Sequence, residues 1–138
     1  MKQNVPISEI MSKDLITLSP KQSLYEAEKL FNRHNIRHLP VVENKRLVGM
    51  ISRTDLLRIS FTDLDESDEF DVPVVYEMFS IPDIMTRMPV FVEVDSTIKE
   101  TAEILSRQNF HSLPVLDKGI LVGIITTTDL INYLLAQY

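Results

Sequence analysis

The chain has 138 residues and 15.9 kDa, with 14 Lys and Arg against 20 Asp and Glu, a net charge of −6. Its 44% hydrophobic share excludes a disordered chain, and the acidic balance argues against a nucleic-acid binder. Cysteine is absent, which excludes disulfides, thiolate metal sites and cysteine nucleophiles together.

The first residues, Met1-Lys2-Gln3-Asn4-Val5-Pro6, carry no apolar signal-peptide core. The longest apolar runs lie around Gly123 and fall far short of the roughly 20 residues that span a bilayer. We therefore expect a soluble, cytoplasmic protein without membrane insertion.

In chain order, Ser8 opens a short helical turn that ends near Met11, and Leu15-Ile16-Thr17-Leu18 reads as a short extended piece. Ser23 followed by Glu26 matches a capping box, so a helix starts there, with Leu24, Ala27, Leu30 and Phe31 on its inward face. Asn35 stands at its expected end, where Asn tolerates the left-handed conformation. Residues 39–42 read as a strand, with Pro40 pointing to strand entry or an edge. A turn at 43–46 leads to a strand at 47–51, and a final helix begins near Ser52.

Residues 58–78 carry one Arg and seven acids, net −6, without sustained periodicity, and read as a linker or exposed loop. Residues 1–57 are net +3 and residues 79–138 net −3.

The second half repeats the first. A shift of 74 aligns 5–57 with 79–131 without a gap, with 16 of 53 positions identical and grouped in blocks. Pro82 starts the short turn, Val90-Phe91-Val92 the extended piece, and Thr97 with Glu100 the capping box. Ile98, Ala102 and Leu105 form the inward helical face, and Asn109 the expected helix end. Strands follow at 113–116 and 121–125, then a helix from Thr126. The expected fold is α+β, with two β-α-β-β-α repeats: 1–57, a linker 58–78, and 79–138. Units of this size bury little core alone, so we expect them to pack face to face and share one.

Enzyme signatures are scarce: there is no Gly-x-Ser-x-Gly, Gly-x-x-x-x-Gly-Lys, Gly-x-Gly-x-x-Gly or His-Glu-x-x-His. His34 and His38 have metal-pair spacing, but a helix end is expected between them. Each repeat instead ends a strand on a hydroxyl and begins a helix with Asp three residues on: Ser52-Arg53-Thr54-Asp55 and Thr126-Thr127-Thr128-Asp129. Two readings fit. The hydroxyl and carboxylate can cap the helix, or they can hold a ligand's ribose and phosphate at the helix start. Gly49 and Gly123, just upstream, would let backbone or ligand approach closely.

The block Leu39-Pro40-Val41-Val42, then Leu47-Val48-Gly49 through Thr54-Asp55-Leu56, resembles the cystathionine-β-synthase (CBS) domain, and two tandem copies resemble a Bateman module. The resemblance covers nearly the whole chain outside 58–78. It implies a pseudo-twofold regulatory module that binds adenosine ligands (AMP, ADP, ATP or S-adenosylmethionine) and often dimerises. It also implies ligand roles for Asp55 and Asp129 at ribose, for Ser52, Arg53, Thr126 and Thr127 beside them, and for Thr17 near base or ribose. Arg37 and His38, with His111 and Ser112 in the second copy, match positions that often face phosphate.

The copies differ. Phe91 replaces Thr17, with core packing as its expected role, and the cations Arg37, His38 and Arg53 have no full counterpart. The Asp55 set is thus expected to be the better nucleotide site. The functional expectation is a non-enzymatic adenosine-nucleotide sensor, a homodimer without cofactor or metal, acting in trans on a partner protein because no effector domain is attached. A ligand-free dimerisation or docking module and an S-adenosylmethionine sensor are the alternatives.

Overall fold

The computed structural model describes residues 4–62, 72–109 and 111–138. The chain runs as a 3-10 turn (Ile7–Glu9), α1 (Leu24–His34), β1 (His38–Glu43), β2 (Arg46–Ser52), α2 (Arg53–Thr62), α3 (Val72–Met78), α4 (Ile81–Ile84), β3 (Thr86–Arg87), β4 (Val92–Glu93), α5 (Ile98–Arg107), β5 (Ser112–Asp117), β6 (Ile120–Thr126) and α6 (Thr127–Leu135). It divides into two compact units: Ile16–Pro89, here the Asp55 unit, and residues up to Leu15 together with Val90–Tyr138, the Asp129 unit. Among the described residues no helix is long and apolar enough to cross a membrane.

In the Asp55 unit, Ser23 accepts the Glu26 amide at 3.2 Å and so starts α1. Asn35 ends it in the left-handed region, φ 51°, as its side chain permits. Leu24, Ala27 and Phe31, at helical spacing, are buried with Leu39, Val41, Ile51 and Leu56. β1 and β2 form an antiparallel hairpin whose two turn residues, Asn44 and Lys45, both have positive φ, the geometry that matches strand twist. Val48 is an extra residue against the Val41–Val42 step, a bulge that adds twist. The expected strand at 15–18 shrinks to one parallel bridge, Leu18 to Val41, with the Leu18 amide on the Pro40 carbonyl at 2.9 Å.

The Asp129 unit repeats this plan. Thr97 accepts the Glu100 amide at 3.1 Å, and β5 and β6 form the hairpin with Lys118 and Gly119 at positive φ and Val122 as the extra residue. β4 lies parallel to β5. Pro114 sits one residue before that ladder begins, as a residue without a donor should. Thr101, fully buried where the first repeat has Ala27, satisfies its hydroxyl on the Thr97 carbonyl at 3.0 Å.

Four expectations need correction. First, the cores do not follow the repeat boundaries at 1–57 and 79–138. Leu18 through Ile81 form one cluster in the Asp55 unit, and Ile7, Val92, Leu105, Leu113, Val115 and Ile125 another in the Asp129 unit. Each core is completed by the other repeat's leading segment, Ile81 in one and Ile7 in the other. Second, the stretch 58–78 is helical at both flanks, because Val75 and Tyr76 are buried and Tyr76 meets Tyr25 edge to face at 5.3 Å. Its most acidic part, 63–71, lies outside the described residues. Third, α5 ends at Arg107 with Gln108 extended as its cap, so Asn109 does not play the part of Asn35. Fourth, Phe91 is 43% exposed; strand alternation turns its neighbour Val92 inward instead.

Candidate functional site

The hairpin and the helix after it bring the predicted residues together. In the Asp55 unit, His38 opens β1 directly opposite Ser52, the last residue of β2. The Arg53 amide donates to the Arg37 carbonyl at 2.9 Å, which fixes Arg37 beside the start of α2. Ser52 and Asp55 then close a reciprocal pair: the Ser52 amide donates to Asp55 Oδ2 at 2.8 Å, and the Asp55 amide donates to Ser52 Oγ at 3.1 Å. This satisfies amides that a helix start leaves without partners, and it puts a carboxylate where the helix dipole favours negative charge. Asp55 Oδ1 lies 4.0 Å from the exposed Arg58 guanidinium. Thr17, half-buried, precedes Leu18 and so runs alongside β1.

The Asp129 unit has the same frame. Ser112 opens β5 opposite Thr126, and the Thr127 amide donates to the His111 carbonyl at 2.9 Å. Thr126 and Asp129 form the same reciprocal pair at 3.0 and 3.1 Å. The capping reading of both Ser/Thr-x-x-Asp elements therefore holds. It leaves the second reading open, since the cap takes one oxygen of each carboxylate, Oδ2. Ser112 Oγ is buried without a hydrogen-bond partner among the described residues, an arrangement that ordinarily has a reason.

The two sets differ in their side chains. Arg53 is turned onto the end of α1: its guanidinium donates to the Phe31 carbonyl at 2.7 Å, to Asn32 Oδ1 at 3.1 Å and to the Ile36 carbonyl at 3.4 Å, and stands 5.8 Å from the Phe31 ring centre. Thr127 has no such reach. Arg37 is exposed and His38 half-buried, whereas His111 is exposed. His34 ends α1 while His38 begins β1, so the pair shares no helix face.

The glycines serve the frame. A Cβ on Gly49 would overlap the Met85 thioether and stand 3.0 Å from the Thr86 carbonyl oxygen; on Gly123 it would meet Met11 and the Ser12 carbonyl oxygen at 3.1 Å. Of the two approaches the glycines could permit, these contacts are with neighbouring chain. Met11 and Met85 stand at matching positions under the shift of 74, and each packs on the glycine of the other repeat. Asn32 joins the set through Arg53, a partnership that an exposed helical Asn does not signal in sequence.

The CBS-domain family model matches residues 7–61 and 81–136. Protein MJ1225 of Methanocaldococcus jannaschii is 32% identical over 132 residues, 95% of this chain, and its crystal structure superposes with a TM-score of 0.87. The chain spans less than half of that relative, 43% in the sequence comparison. CBSX2 of Arabidopsis thaliana, solved in complex with AMP, is 26% identical with a TM-score of 0.81, over 96% of this chain and 98% of that one. The CBS domain pair of MJ0100, solved with 5′-methylthioadenosine and S-adenosylmethionine, is 28% identical with a TM-score of 0.77, over 97% and 98%. Two hairpin-and-helix repeats, each matched by the same family model, make this chain a tandem pair in the CBS-domain family.

Proposed function

We propose that this chain is a regulatory sensor that binds an adenine nucleotide (AMP, ADP or ATP) at the Asp55 set. It transmits the bound state in trans to a partner protein, as a cytoplasmic homodimer and without catalysing a reaction. The observation that carries this reading is the Ser52–Asp55 reciprocal pair, which holds a carboxylate at a helix start beside Arg37 and His38. A carboxylate accepts ribose hydroxyls, and an Arg offers a fork of donors to phosphate. CBSX2, which has the same fold and matches this chain over nearly the full length of both, was solved with AMP. For the signal, the ligand must bind two states of the module unequally.

A second reading applies to the Asp129 set. It has the carboxylate and the buried Ser112 hydroxyl, but no arginine matching Arg37 or Arg53. That favours an adenosine ligand without phosphate, and MJ0100 was solved with two of these. A thermal-shift panel of AMP, ADP, ATP and S-adenosylmethionine tests both readings. A ligand that binds only the folded state at 100 times its Kd stabilises by about 2.7 kcal/mol. We expect a rise in Tm with a nucleotide. No shift with any of the four at millimolar concentration leaves the ligand-free docking module as the better account.

A further inference from the structure

We propose that Arg53 is a positioning residue: it clamps the α1–β1 connection and so presets Arg37 and His38 for phosphate, without touching the ligand itself. This rests on the nucleotide reading of the Asp55 set for its functional half only.

The connection consists of Asn35, Ile36 and Arg37, between the last residue of α1 and the first of β1. It is held on both sides by one residue. The Arg53 backbone amide takes the Arg37 carbonyl, while its guanidinium takes the carbonyls of Phe31 and Ile36 and the side chain of Asn32. The Phe31 carbonyl already accepts from the Asn35 and Ile36 amides. A third, charged donor at 2.7 Å thus falls on the negative end of the helix, where a cation is favoured. The planar fork is needed, because the accepting groups lie on two sides of it and the Phe31 ring lies against it. A guanidinium committed to three such acceptors and packed on the Phe31 ring is not available as an additional phosphate ligand at the start of α2.

The Asp129 unit is the natural control. The backbone bond persists from Thr127 to His111, but the side-chain clamp is missing, and α5 ends in an extended Gln108 rather than a left-handed Asn. Ordering a connection before the ligand arrives lowers the entropy lost on binding. The clamp therefore belongs with the repeat that carries Arg37, a residue whose long side chain sits at the end of the segment it orders.

Two measurements on the full chain test this. The first is hydrogen exchange of the Ile36 amide in free protein. Arg53→Ala is expected to speed it by about tenfold or more, as loss of a charged hydrogen bond should. Arg53→Lys and Asn32→Ala should speed it less, and Asn32→Ala, at an exposed position, keeps the test valid if Arg53→Ala folds poorly. Unchanged exchange in Asn32→Ala and Arg53→Lys would overturn the clamp. The second is AMP titration of Arg53→Ala, Arg37→Ala and the double variant. Arg53→Ala should weaken AMP about tenfold in the wild-type background and by less than about twofold once Arg37 is gone. Additive losses would overturn the proposal in favour of direct phosphate contact by Arg53. If wild-type protein binds no AMP, the nucleotide reading fails, and the exchange result alone decides the clamp.

Discussion

The Asp55 and Asp129 units share a backbone plan: hairpin opening, bulge, strand end, capping pair and backbone bond all recur at an offset of 74. They differ in how the helix before each hairpin ends and in what their side chains do with the shared plan. One unit places an Arg on a helix end, closes α1 with a left-handed Asn and presents Arg37 and His38; the other places Thr, Gln, His and Ser at or near these positions. The reciprocal Ser/Thr–Asp pair is common to both, so it is the frame. The cations around it are what set the first unit apart.

The largest expected effects test the two cores separately. Phe31 and Leu105 occupy matching positions and are 1% and 6% exposed. Phe31→Ala should cost about 4 kcal/mol and Leu105→Ala about 3 kcal/mol in urea unfolding. A loss below about 1 kcal/mol in either would contradict the assignment of that residue to its core.

The caps come next. Ser52→Ala and Thr126→Ala should each lower stability by about 1 kcal/mol, since each removes a hydroxyl that accepts a first-turn amide. Clearly unequal losses would show that the two frames are less alike than their geometry.

The hairpin turns give a smaller effect of opposite sign. Lys45 adopts φ 68° where the second hairpin has Gly119 at 86°. Lys45→Gly should stabilise by about 0.5 kcal/mol, because relief of the left-handed penalty of roughly 1–2 kcal/mol outweighs the entropy that glycine loses. Destabilisation in a thermal melt would contradict this.

The smallest effect is a pH dependence. The Ser80 amide, at 2.8 Å, and then the Ser80 hydroxyl hold Asp83 below its ordinary range, in a capping box that Pro6 and Glu9, at the matching positions, do not offer. A carboxyl depressed in the folded state contributes stability above its unfolded pKa, and that contribution fades as pH falls through the folded value. Asp83→Asn should therefore narrow the gap between acid and neutral stability slightly, and an unchanged gap would count against the box.

Much of this was legible in the residues. Ser23 with Glu26 and Thr97 with Glu100 marked two helix starts, because capping is local chemistry written at fixed spacing. The two hairpins followed from apolar runs around short polar turns. What could not be read were choices settled by tertiary packing. Nothing local says that Ile7 completes the Asp129 core or Ile81 the Asp55 core. Phe91 and Val92 are both good strand residues, and only the packing decides which turns inward. Arg53 sits in a ligand-like motif, yet the nearest acceptor of its guanidinium is a helix-end carbonyl, that of Phe31, which the sequence does not display. The site was half legible for the same reason: a capping pair and a ribose-binding pair require the same Ser/Thr-x-x-Asp spacing.

The central claim is that the Asp55 set is the nucleotide site. It is tested most directly by calorimetric titration of AMP into wild type, Asp55→Asn and Asp129→Asn; Asn retains a side-chain oxygen for the cap while removing the charge. The account predicts about tenfold or greater loss of affinity for Asp55→Asn, in line with about 1.5–3 kcal/mol for hydrogen bonds to a charged group, and near-wild-type binding for Asp129→Asn. Equal losses in both variants, or a greater loss in Asp129→Asn, would contradict it.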